Sequence, residues 1–114
     1  MGNNYIPARG DIAWLKFSSQ LRHEQAGYRP ALCISPVKYN EIVGLAIFCP
    51  ITSRQKGYPF EVKLPKNLEI EGVILVDQIK SLDWKERKVK YIYPLPENYL
   101  NKVLGKINTL ISDT

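Results

Sequence analysis

The chain is poor in the residues that build metal centres and disulfide frameworks: its 114 residues include two cysteines and a single histidine. Cys33 and Cys49 both lie in apolar runs, have no CxxC partner and join no His/Cys cluster. They read as small buried hydrophobes, and neither a metal site nor a cofactor is expected. No apolar stretch approaches the length needed to span a bilayer, Met1 to Arg9 lacks a signal-type apolar core, and Ile6 stands where a myristoylation signal requires Ser or Thr. A cytoplasmic protein without membrane attachment is therefore expected. Internal repeats, low-complexity segments and linkers are absent, so residues 1–114 read as one domain. Acidic residues are the minority, 11 against 16 Lys and Arg, and the net charge of +5 favours polyanionic partners, either nucleic acid or an acidic protein.

Chemical variety is concentrated in one short stretch, His23-Glu24-Gln25-Ala26-Gly27-Tyr28-Arg29-Pro30. Gly27 permits a tight reversal, and Pro30 pushes Arg29 out of the α region, so Arg29 is expected to open a strand running to Ser35. The apolar residues Ala31 to Ile34 would anchor that strand and fix the guanidinium at its rim beside His23 and Glu24. A cation and a carboxylate around an anionic group suit phosphoryl chemistry, although a solvated hairpin loop with an incidental ion pair fits the same residues.

The remaining pattern is mostly that of short strands. Gly10–Phe17 alternates, with Ile12, Trp14 and Phe17 inward; Val37–Gly44 reads as a turn or short helical piece closed by Gly44; Leu45–Cys49 is so continuously apolar that it belongs at the centre of a sheet. Pro50 to Ser53 then leads into a basic loop, Arg54 to Pro59. Phe60–Leu64 alternates again, Pro65–Glu71 is a polar connection, Gly72–Asp77 is a buried run, and a turn leads to a last strand, Lys88–Tyr93. Lys80, Lys85, Arg87, Lys88 and Lys90 form a third concentration of positive charge, equally consistent with a solvated face and with binding. After Pro94 and Pro96 the period changes: Leu100, Val103, Leu104, Ile107, Leu110 and Ile111 recur at helical spacing. A mainly β, α+β domain follows: a small, strongly curved sheet or barrel closed by a C-terminal helix.

Taken together, Gly10-Asp11, Glu24 to Ala31, Thr52-Ser53, Lys56 to Val62, Asp77-Gln78 and Lys106-Ile107-Asn108 resemble, in order and spacing, the MazF/PemK-type toxins of bacterial toxin–antitoxin systems. That resemblance implies an SH3-like, CcdB-like barrel and a sequence-specific endoribonuclease acting on mRNA. It also implies a homodimer, a cognate acidic MazE-like antitoxin whose tail folds over the basic surface, and contact with DNA only through the antitoxin complex. On the MazF branch the catalytic Arg matches Arg29, the Thr matches Thr52 and a loop Glu matches Glu24. The Kid/PemK branch uses a His, an Arg and an Asp. His23 and Asp77 match two of these, but Leu75 occupies the position of the Arg, so that constellation is incomplete here. Asp77 then reads first as a structural acid at a strand end, and His23 either as a solvated loop residue or as a proton carrier near neutrality.

RNA supplies its own nucleophile, the ribose 2′-OH, so this residue set can work without a metal. Arg29 and Thr52 would stabilise the charge that develops on the phosphate, and Glu24, with or without His23, would accept the proton. Single-stranded RNA is the implied substrate, since its unstacked bases can be read. Tyr28 and Tyr58 are candidates for stacking, although Tyr58 before Pro59 also suits simple packing. Gln25, Gln55, Gln78 and Ser53 are candidates for polar contacts, and Arg54, Lys56, Lys80 and Arg87 for the phosphates. Two rivals stay open: a non-enzymatic CcdB-like gyrase poison on the same fold, and a small regulatory nucleic-acid-binding module.

Overall fold

A computed structural model describes residues 4–17 and 27–113. Its strands are β1 (Asp11–Phe17), β2 (Gly27–Cys33), β3 (Ala46–Thr52), β4 (Glu61–Lys63), β5 (Val73–Leu75), β6 (Lys80–Leu82) and β7 (Lys90–Pro94); its helices are α1 (Val37–Val43) and α2 (Glu97–Ile111), with a 3₁₀ turn at Val76–Gln78. All ladders are antiparallel. The seven strands form one curved sheet in the order β4-β5-β3-β2-β1-β7, with β6 also on β3. The sheet is not closed into a barrel: β4 and β7 end its strand order.

Two apolar clusters explain why several strands read as continuous hydrophobic runs rather than as clean alternations. One gathers Ile12, Leu32, Cys49, Ile51, Val62, Ile74 and Val76 under Val103 of α2, with Leu100, Leu104 and Ile107 packed against it. The other gathers Ala13, Leu15, Ala31, Cys33 and Phe48 with Trp84 and Val89. Successive residues of β1 thus feed both clusters: Ile12 belongs to the first with Trp14 packed on it, while Ala13 and Leu15 belong to the second with Phe17 packed on that. Burying each such large aliphatic side chain contributes about 1.5–3 kcal/mol. Burial also raises the thiol pKa of Cys33, and that of Cys49 to about 12, so both sulfurs behave as apolar groups.

A buried polar knot ties the chain together behind α1. The Ser35 hydroxyl donates to Asn40 Oδ1 (2.5 Å), Asn40 Nδ2 donates to the Pro7 carbonyl (2.7 Å), and Trp84 Nε1 donates to the Asn40 carbonyl (3.1 Å). Every buried side-chain polar atom described has a partner, as burial of such groups demands.

Several expectations shift in detail. Gly44 does close α1, in the left-handed region at φ 84°. The segment after the 3₁₀ turn contains a strand, β6, that alternation does not show, because two of its three residues are exposed and only pairing to Ala46–Phe48 defines it. The last strand begins at Lys90 because Lys88 (φ 52°) still belongs to the preceding turn, where its N–H donates to the Lys85 carbonyl (3.1 Å). The apolar stripe of α2 outruns its partner: Leu110 and Ile111 are 41% and 78% exposed. Among the described residues no helix is long and apolar enough to cross a membrane.

Candidate functional site

The site forms where the partners of β3 change. On one side of β3 lies β2; on the other, Ala46–Phe48 pair with β6 and Ile51–Thr52 pair with β5. Between those two partners falls Pro50, which has no N–H to give a ladder and is tolerated in a central strand for that reason. The groove at this break encloses about 270 Å³ and is lined by Arg29, Pro50, Thr52, Gln78 and Lys80, with Phe17 at its margin. None of its lining residues is acidic.

Arg29 pairs in register with Leu15, and Phe17 with Gly27, so Arg29 and Phe17 are diagonal neighbours across the β1–β2 ladder. The Arg29 guanidinium lies 5.9 Å from the Phe17 ring centroid, and that of Arg87 lies 4.6 Å from the same centroid. The ring's negative face offsets part of the repulsion between two cations held close together. Arg87 is further fixed by donating from Nη1 to the Lys16 carbonyl (3.3 Å).

Thr52 ends β3 half-buried, and its hydroxyl oxygen accepts the Arg54 N–H (3.2 Å). The basic loop after it is held from several directions. Glu61 accepts the N–H groups of Lys56 (3.0 Å) and Gly57 (2.8 Å), and Lys106 Nζ donates to the Pro59 carbonyl (2.6 Å). Tyr58 donates to Asp77 Oδ1 (2.7 Å), and this bond to a carboxylate raises the phenol pKa. Asp77 is thereby engaged by a loop tyrosine, an arrangement that fastens the loop to the 3₁₀ turn.

Of the residues singled out in the sequence, Arg29, Thr52, Gln78 and Lys80 share the groove, and Arg87 reaches its margin through Phe17. Ser53 and Gln55 line a neighbouring depression instead. Arg54, Lys56, Tyr58 and Asp77 lie outside the groove lining, as does Tyr28, over whose ring Lys90 Nζ sits at 4.6 Å. His23, Glu24 and Gln25 lie outside the described residues. Sequence reasoning missed Phe17 as a site residue and Pro50 as part of β3. The β1–β2 register carries the signal for the first, and the change of ladder partner carries it for the second. Among the described residues, no three His, Cys, Asp or Glu side chains gather closely enough to hold a metal ion.

Comparison with known proteins bears on the chain as a whole. Residues 8–111 match the model of the PemK-like, MazF-like toxins of type II toxin–antitoxin systems. The chain is 40% identical over 111 residues to the endoribonuclease toxin MazF of Escherichia coli K12, covering 97% of this chain and 99% of that one. It is 33% identical to the endoribonuclease PemK of Escherichia coli, with 91% and 81% covered. Among solved structures, a chain of the MazE–MazF complex (Form-II) from Deinococcus radiodurans superposes with a TM-score of 0.91 at 46% identity, covering 97% of this chain and all of that one (100%). MazF alone (Form-I) from the same organism gives 0.84 at 47% identity, with 95% and 98% covered. An acid-free groove at the break in β3, an Arg and a Thr on its walls and this likeness along nearly the whole chain lead to one conclusion: the chain belongs to the PemK-like, MazF-like toxins of type II toxin–antitoxin systems.

Proposed function

We propose that the chain is a growth-arresting toxin acting in the cytoplasm as an endoribonuclease on single-stranded mRNA, through attack of the 2′-OH on the adjacent phosphorus. The observation that carries this reading is that Arg29 and Thr52, with Gln78 and Lys80, line one groove without an acidic residue. The bond formed is 2′-O–P and the bond broken is P–O5′; the departing 5′ oxygen takes a proton from water, leaving a 2′,3′-cyclic phosphate and a 5′-OH. Glu24, aided by His23, accepts the 2′-OH proton; Arg29 and Thr52 donate to the non-bridging oxygens as charge builds on them. A guanidinium keeps its proton above about pH 12, so Arg29 clamps charge rather than delivering a proton. Two copies of the chain and a cognate acidic antitoxin complete the system, the +5 charge being complementary to such a tail.

Purified protein is expected to cut a long single-stranded RNA in the presence of EDTA and to fail when the nucleotide 5′ of the cut carries 2′-deoxyribose. Cleavage of the deoxy-substituted site overturns the chemistry; intact RNA together with inhibition of gyrase would assign the chain to the poison class instead.

Phe17 supplies a second check. Replacing it with leucine removes the ring shared by Arg29 and Arg87, each contact being worth about 0.5–1 kcal/mol at an exposed site. A fall of roughly 5- to 30-fold in kcat/KM is expected, with Phe17→Trp restoring most of it. Equal losses in the leucine and tryptophan variants would show that the ring matters for packing alone.

A further inference from the structure

We propose, on the basis of the ribonuclease reading above, that the RNA strand continues out of the cleavage groove along a second basic track, from Ser53 and Gln55 to Lys63 and Lys66 and on to Lys102 beside α2. Two depressions outside the cleavage groove lie end to end. The first encloses about 460 Å³ and begins at Ser53 and Gln55, directly after Thr52 in the chain, with Lys63, Lys66 and Glu71 around it. The second, of about 330 Å³, shares Lys63, Leu64, Pro65 and Lys66 with the first and adds Glu61, Tyr99, Lys102 and Lys106. The two depressions therefore adjoin at Lys63–Lys66 and together reach from Ser53, just after β3, past β4 to α2.

Its charge is that of a polyanion path. Lys63, Lys66, Lys102 and Lys106 face two carboxylates, Glu61 and Glu71, and Glu61 is already committed to the N–H groups of Lys56 and Gly57. Lys106 is engaged with the Pro59 carbonyl and Lys102 sits 5.2 Å from the Tyr99 ring centroid. Lys63 and Lys66 are exposed and, among the described residues, neither makes a side-chain hydrogen bond or ion pair. Spaced ammonium groups on open, shallow surface suit successive phosphates of a flexible strand, which need point charges and no deep apolar anchor. An acidic peptide would need such anchors to gain affinity beyond charge. Ser53 of the track directly follows Thr52 of the cleavage groove in the chain, which makes the strand held in that groove the occupant, since its flanking nucleotides have to leave by some route.

The test uses oligonucleotides carrying 2′-deoxyribose at the cut, so that binding is measured without turnover: a core spanning the cleavage site alone, and the same core extended by uridines on its 5′ or its 3′ side. Extension on one side only is expected to tighten binding roughly tenfold at low salt. Lys63→Ala/Lys66→Ala should abolish that gain, leave core affinity unchanged and lower the slope of log affinity against log salt by about 0.7 per lost phosphate contact. The proposal is overturned if neither extension helps, if both help equally, or if the double variant keeps the gain. Binding of polyglutamate by the track without any gain from extension would hand it to an acidic peptide and equally overturn it. Cleavage of the all-ribose core, run in parallel, reports separately on the ribonuclease reading, because an uncut core with intact extension dependence fails only that reading.

Discussion

Arg29→Ala is expected to lower the cleavage rate by about 100- to 1,000-fold, the usual consequence of removing one preorganised donor to a developing oxyanion, while leaving the fold intact. Arg29 is exposed, and its place in β2 is supported by backbone pairing to Leu15 and by the buried residues that follow, Ala31, Leu32 and Cys33. The stability change should stay at about 0.5–1 kcal/mol, which is what the contact with the Phe17 ring is worth at an exposed site. Loss of kcat and kcat/KM in equal measure would mark an interaction made only in the transition state, whereas a rise in KM alone would mark a plain phosphate contact. Arg29→Lys restores the charge without the planar fork, so it should recover only part of the rate. Single-turnover cleavage and thermal melting of the two variants decide the matter; an alanine variant that unfolds would show the guanidinium to be a structural support.

How much of this was readable without coordinates depended on how local each cause is. The run Leu45–Cys49 signals a central strand because β3 has partners on both sides and apolar neighbours on both faces. Gly44 and Pro96 mark helix ends through backbone constraints of their own. By contrast, the sequence places Pro50 after the central strand, whereas it lies inside β3; only the handover from β6 to β5 makes a missing N–H harmless there. The stripe on α2 is legible as a face, yet periodicity carries no information about where the sheet beneath it stops, and so Leu110 and Ile111 look buried when they are not. At the site, Arg29 and Thr52 could be named because the motifs around them match the family's in order and spacing. Phe17 could not, since its bearing on Arg29 requires the Leu15–Arg29 register.

Gly72→Ala should be among the most damaging single-methyl changes in the molecule, and it should act on the site through the backbone. Gly72 has φ 126°, outside the range that side-chain-bearing residues adopt readily, and a Cβ there would lie 2.2 Å from the Thr52 carbonyl oxygen and 2.8 Å from its carbon. Both obstacles are backbone atoms of the strand that carries the Thr52 hydroxyl, so no side chain can swing aside. The next residue, Val73, is paired with Thr52, and the Gly72 carbonyl accepts the Leu64 N–H (3.0 Å), so the peptide is held on both flanks. Dihedral strain of about 1–3 kcal/mol joined to an overpacking cost of about 1–3 kcal/mol gives a loss of roughly 2–6 kcal/mol, a large share of the 5–15 kcal/mol or so that stabilises an ordinary domain. Gly44→Ala is the matched control: its φ of 84° is also left-handed, but a Cβ there meets nothing within 4 Å. That variant should lose only the dihedral term and keep full cleavage per folded molecule. In Gly72→Ala, by contrast, the surviving folded fraction should also cleave slowly, because relief of the clash has to move Thr52. Equal melting temperatures and equal specific activities for the two variants would mean that the close approach of Gly72 to Thr52 does not persist in solution.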